Sequence, residues 1–221
     1  MFPVLATGDR LDTVKQCTRA HDFVRFTHLI RFLVAGHWTG PANDTVGIFR
    51  NGNFFLASTN TPGGGTVNAF NFGQAGDVPV AGDWDGSGTT TVGIFRSGSF
   101  FLASSNTNGG GTVNAFGYGL ADDMSVTGDW IGSGTTTVGI YRTDPYRGAF
   151  FLASSNTPGG GAVNAFSYGQ EGDVPIAGDW DGDGTDTVGI FRNGAFFLAS
   201  SNSNGGGTVN AFTYGMAVMC R

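Results

Sequence analysis

The residues best placed to do chemistry are three aspartates, Asp179, Asp181 and Asp183, alternating with single residues and followed by Gly184 in the stretch GDWDGDGTDTVGIF. Calcium is a hard cation that takes six to eight oxygen ligands. A loop with carboxylates at its first, third and fifth positions, a backbone carbonyl at the seventh and an oxygen near the ninth can wrap it. Glycine at the sixth position allows the sharp reversal that turns those oxygens inward. Here the ligands would be Asp179, Asp181, Asp183, the carbonyl of Thr185, and Thr187. The frame recurs from Gly82 with Asp83, Asp85, Ser87, Gly88, Thr89 and Thr91, where a hydroxyl replaces one carboxylate and weaker calcium binding is expected. From Gly128 it reads Asp129, Ile131, Ser133, and from Gly36 it reads His37, Thr39, Pro41; these two copies are read as turns without metal. A competing reading applies to every copy. Aspartate and glycine make tight turns unaided, the carboxylates accepting backbone amides as in an Asx turn.

The tryptophans Trp38, Trp84, Trp130 and Trp180 recur inside the same frame. Core packing beside the loop is the preferred role, and an aromatic platform for a sugar ring, built from Trp84, Trp130 and Trp180, is the functional alternative. Arg50, Arg96, Arg142 and Arg192 recur at a second fixed position, where ion pairs with Asp77, Asp123 and Asp173 are preferred to a basic ligand ring. The tracts TPGGG and TNGGG read as flexible outer loops, and no lysine or helix start follows them to make a phosphate cradle. Catalysis has little to draw on. There is one glutamate, Glu171, and the histidines His21, His28 and His37 lie outside the well-formed copies. No catalytic residue is assigned, and the chain is expected not to be an enzyme.

The elements that must carry these residues are read from self-similarity. NAF begins at Asn68, Asn114, Asn164 and Asn210, at offsets of 46, 50 and 46 residues, and TVGI begins at Thr45, Thr91, Thr137 and Thr187, at offsets of 46, 46 and 50. The four extra residues fall in TDPYRG, Thr143 to Gly148, which marks a surface hairpin turn. In the second copy the runs VPVAGDW, TTVGIFR, SFFLAS and TVNAFGYG, bounded by glycine, asparagine and serine, predict four short strands. Both faces of these runs are apolar or small, so each sheet is expected to be covered on both sides. A period of about 46 residues holding four strands matches a propeller blade. The predicted fold is therefore an all-β propeller with four recognisable blades over residues 34–221. Residues 1–33 hold five of the eleven basic residues and read as a short helix, an eroded blade or a linker.

Composition narrows the partners. The net charge is −6 and lysine occurs once, at Lys15, which argues against phosphate neutralisation and hence against nucleic acid. No apolar run reaches the roughly 18 to 20 residues of a membrane-spanning helix, and HLIRFLVA is interrupted by Arg31. Cys17 and Cys220 are either unrelated thiols or a disulfide joining the two ends, and they lack zinc-ligand spacing.

GDVPVAGDWDGSG followed by VGIFR resembles the FG-GAP or VCBS type repeat, the calcium-loop blade of integrin-alpha-like β-propellers, over about residues 34–215. The likeness rests on Asp179, Asp181, Asp183 and Gly184, with Asp83, Asp85 and Gly88 as a second instance. It implies an extracellular or cell-surface module for adhesion or ligand binding, whose partner is a surface glycan or protein. Loops of that family usually end in aspartate at the ninth position, where this chain has Thr187 and Thr91, with Asp186 one place early. A second reading is structural: near-identical blades with unpaired strand edges pair between chains into a homo-oligomer or filament.

Overall fold

Short β-branched and aromatic runs separated by glycine-rich turns leave the backbone little alternative to hairpins. The computed structural model describes residues 32–38, 43–143 and 147–214. The sequence segment read as helix, eroded blade or linker lies almost entirely outside these residues, as do Cys17 and Cys220. Blade 1 comprises β1 (Phe32–Gly36), β2 (Thr45–Arg50), β3 (Asn53–Ala57) and β4 (Val67–Asn71). Blade 2 comprises β5 (Val78–Gly82), β6 (Thr91–Arg96), β7 (Ser99–Ala103) and β8 (Val113–Gly117). Blade 3 comprises β9 (Met124–Gly128), β10 (Thr137–Thr143), β11 (Gly148–Ala153) and β12 (Val163–Ser167). Blade 4 comprises β13 (Val174–Gly178), β14 (Thr187–Arg192), β15 (Ala195–Ala199) and β16 (Val209–Thr213). Every sheet is antiparallel with its strands in chain order, and the first strands β1, β5, β9 and β13 neighbour one another in series. The fold is a β-propeller of four blades.

The central hairpin of each blade is set by its turn. Asn51–Gly52, Ser97–Gly98 and Asn193–Gly194 all have positive φ, the backbone that matches the twist of the flanking strands. In blade 3 the four additional residues lengthen this hairpin, and Thr143 still pairs with Gly148 at its base.

Each blade presents two different faces to its neighbours. The bulky face of blade 2 carries Val80, Phe95, Phe100, Leu102, Phe116 and Tyr118, and it packs on Val138, Ile140 and Ala153 from the small face of blade 3. Phe49, Phe54 and Leu56 of blade 1 meet Val92, Ile94 and Ala103 of blade 2 in the same way, and Tyr141, Phe150 and Leu152 of blade 3 meet Val188, Ile190 and Ala199 of blade 4. The aromatic rings form a ladder within each blade: Phe100 lies 4.8 Å from Phe95 and 6.0 Å from Phe116, centroid to centroid. Full burial of each such ring stabilises by about 1.5–3 kcal/mol.

Among the described residues, coverage of both faces therefore holds at three interfaces and stops at the ends. On blade 1 the small face leaves Leu33, Val46 and Ile48 exposed, whereas Val92 and Ile94, the same positions in blade 2, are buried. On blade 4 the bulky face leaves Trp180, Phe212 and Tyr214 exposed.

The glycine tracts differ from the flexible loops expected of them. Asn108–Gly110, Pro158–Gly160 and Asn204–Gly206 form 3-10 turns. The Ser104 amide donates to the carbonyls of Gly110 and Thr112, and the Thr112 amide donates to the Ser104 hydroxyl. Gly110 has φ 76°, and a Cβ there would stand 2.6 Å from the Phe72 ring of the preceding blade. Glycine is placed there for close packing between blades rather than for freedom of motion.

Candidate metal loop and interblade cavity

The loop from Asp179 leads from β13 into β14, and three backbone amides shape it. Gly182 N and Asp183 N donate to Asp179 Oδ1, and Gly184 N donates to Asp179 Oδ2 at 2.9 Å. These amides, Gly184 foremost, hold the Asp179 carboxyl below its ordinary range. Gly184 has φ 87° with open space where a Cβ would stand, so conformation alone requires glycine there. The result brings Asp179, Asp181 and Asp183 together on the surface, with one ligand oxygen from each lying within 4.8 Å of the others. Among the described residues no other trio of histidine, cysteine, aspartate or glutamate gathers in this way.

The remaining predicted ligands are placed differently. Thr185 N donates to Asp183 Oδ1, which leaves the Thr185 carbonyl unused by that bond. The Thr187 hydroxyl donates to the Ala199 carbonyl, and Thr45, Thr91 and Thr137 make the equivalent bond in the other blades. This hydroxyl ties the start of one strand to the end of the next. Asp186, one place short of the family's ninth position, accepts the Asp129 amide of blade 3 on Oδ2 at 2.7 Å, while its own amide donates to the Asp129 carbonyl. Burial pushes its carboxyl up, against the opposing pull of that amide.

In blade 2 the same loop holds two carboxylates. Ser87 N donates to Asp83 Oδ1 and Asp85 Oδ1, and Gly88 N donates to Asp83 Oδ2. The Ser87 hydroxyl, followed by Asp83, lowers the Asp85 carboxyl. Thr89 lies in the turn that follows. In blade 3 Asp129 alone accepts the amides of Ser133 and Gly134. The amide-shaped turn is therefore common to blades 2, 3 and 4, and the carboxylate trio is confined to blade 4.

Two features were not anticipated from the sequence. One is the clasp just described: Thr90 and Thr136 make it with His37 and Asp83, the hydroxyl accepting the amide of the preceding blade's loop. The other is the plug formed by Asn60, Asn106, Asn156 and Asn202. Asn106 Oδ1 accepts Val92 N and its Nδ2 donates to the Thr90 carbonyl, with the other three repeating the pattern. Recurrence of an asparagine after the third strand of every copy was the available signal.

Trp38 and Trp130 are buried, Trp84 is half-buried in the same packing, and Trp180 is exposed because no described residue lies over blade 4. Trp38 donates its indole N–H to the Thr45 carbonyl at 3.0 Å. The indole N–H groups of Trp84 and Trp130 are buried without a partner. These two rings, Ile131, and the polar side chains of Ser133, Thr135 and Asn156 line a cavity of about 330 Å³ between blades 2 and 3. Trp180 stands apart from it.

Three of the four recurrent arginines are paired as expected. Arg96 grips Asp77 through Nε at 2.6 Å and Nη2 at 2.7 Å, and Arg142–Asp123 and Arg192–Asp173 repeat the fork. Arg50 lies over the Phe55 ring, 4.9 Å from its centroid. No protein-family model and no curated protein matches the chain.

Proposed function

We propose that this β-propeller is a calcium-supported binding module that works outside the cell, holds a surface glycan or a protein rather than turning over a substrate, and uses blade 4 as its principal metal loop. The observation that carries the reading is the convergence of Asp179, Asp181 and Asp183 on a loop already bent by Gly184. Three carboxylates held this close repel one another unless a cation compensates them, and the spacing suits a hard divalent ion. The resemblance to FG-GAP or VCBS type repeats supports the same reading. The Asp83–Asp85 loop, with Ser87 and Thr89, is the weaker second site.

Calcium should raise the melting temperature. Binding only the native state at about a hundred times the dissociation constant adds roughly 2.7 kcal/mol, which for a chain of this size corresponds to about 5–10 °C. The Asp181→Ala/Asp183→Ala variant should lose the rise and keep its calcium-free melting temperature. An unchanged melting curve at millimolar calcium would reduce the loop to a turn leading into β14.

The cavity between Trp84 and Trp130 supports a sugar as ligand, because it combines indole walls with the hydroxyls of Ser133 and Thr135 and the amide of Asn156. Screening against immobilised glycans should show binding that Trp84→Ala lowers at least tenfold. Binding that survives this change would remove the tryptophans from the site.

A further inference from the structure

Among the described residues the two ends of the propeller are uncovered, and they are the two halves of an interface that the chain already makes three times. We infer that the bulky face of blade 4 docks the small face of blade 1 of a second copy of this chain, in the manner of the blade contacts within one molecule.

The bulky face of blade 4 is built from Ile176, Trp180, Phe196, Leu198, Phe212 and Tyr214. Their counterparts in blade 2 are Val80, Trp84, Phe100, Leu102, Phe116 and Tyr118, of which Phe100 is 0% and Tyr118 8% exposed, against 77% for Tyr214. On the other end, Val46 and Ile48 are 55% and 37% exposed. Val92, Val138 and Val188, which occupy the place of Val46, are each 0% exposed, because the preceding blade covers them. Leu33 lies on the same face, 81% exposed.

The polar fittings are duplicated as well. At each internal interface the first loop residue exchanges bonds with the residue just before the next blade's second strand, as Asp129 does with Asp186. Among the described residues, Asp179 at one end and Asp44 at the other lack an interblade partner of that kind, the Asp44 carboxylate lying 3.2 Å from His37 Nδ1 of its own blade. Similarly, Asn68, Asn114 and Asn164 donate from Nδ2 to the carbonyls of Asn106, Asn156 and Asn202 in the next blade. Asn210 and the Asn60 carbonyl are left to pair across copies. The occupant is thus specified by continuity with an interface whose both sides are known, and it joins blade faces rather than outer strand edges. A head-to-tail contact of this kind closes into a ring or runs on as a filament, depending on the rotation between copies.

Two variants on exposed positions separate the faces: Phe212→Glu/Tyr214→Glu on the bulky face and Leu33→Glu/Val46→Glu on the small face. Sedimentation should show the wild type as larger than one chain and each variant alone as a monomer with an unchanged circular dichroism spectrum. An equimolar mixture of the variants retains one intact pair of faces, so it should form a one-to-one dimer and nothing larger. The inference is overturned if the wild type is monomeric at all concentrations, including the case in which its Trp180 is shielded from a fluorescence quencher by its own chain. It is overturned equally if the wild type assembles and the mixture stays monomeric. Neither outcome bears on calcium binding, which is read separately.

Discussion

Phe100→Ala is expected to lower stability by about 3–5 kcal/mol, the cost of deleting a buried aromatic ring and leaving its cavity behind. Phe100 is 0% exposed, stacks between Phe95 and Phe116, and helps bury the small face of blade 3. Its removal loosens both the ladder inside blade 2 and the contact with the next blade. The denaturation midpoint should fall by about 6–20 °C. Phe196→Ala removes the same ring from blade 4, where the face is uncovered, and should cost less in dilute solution. Equal losses at the two positions would contradict the asymmetry between a covered and an end blade.

Arg96→Ala is expected to cost about 3 kcal/mol, because it strands the carboxylate of Asp77 in the interior. Asp77 is 1% exposed and also accepts the Gln74 amide, so it cannot move out to water without opening the turn before β5. Breaking a buried pair by removing one partner typically costs 3–5 kcal/mol, and the partial exposure of the arginine places this case at the low end. Adding Asp77→Asn to Arg96→Ala should restore part of the loss, since a neutral amide carries no buried charge. Chemical denaturation of the two variants checks this, and a single variant as stable as wild type would show the fork to be dispensable.

The blade architecture was legible because duplication wrote it four times. The offsets of NAF and TVGI gave the repeat length, and the runs around Val92 and Phe100 gave the strands. The arginine–aspartate forks followed from two recurrent residues that the register places across from one another, Asp77 being next to Val78, which pairs with Phe95. The convergence of Asp179, Asp181 and Asp183 was legible from spacing alone. What spacing could not show is direction. Asp186 and Thr187 are adjacent in sequence, yet one turns toward blade 3 and the other toward the end of β15. The glycine tracts misled for a related reason: composition suggested mobility, while a ring from the preceding blade occupies the space a side chain would need. Which faces remain uncovered depends on how many blades are stacked, and local pattern carries no record of that number.

The order of strands within each blade also bears on synthesis. Because every sheet is completed by four consecutive strands, no blade waits for a distant segment to supply its edge. A chain emerging from the ribosome can therefore finish one sheet about every 46 residues, each nucleated by a local hairpin and then seated on its predecessor. Interrupted translation would leave whole sheets rather than half-formed ones, and the last of them would always end in an aromatic face ready for the next.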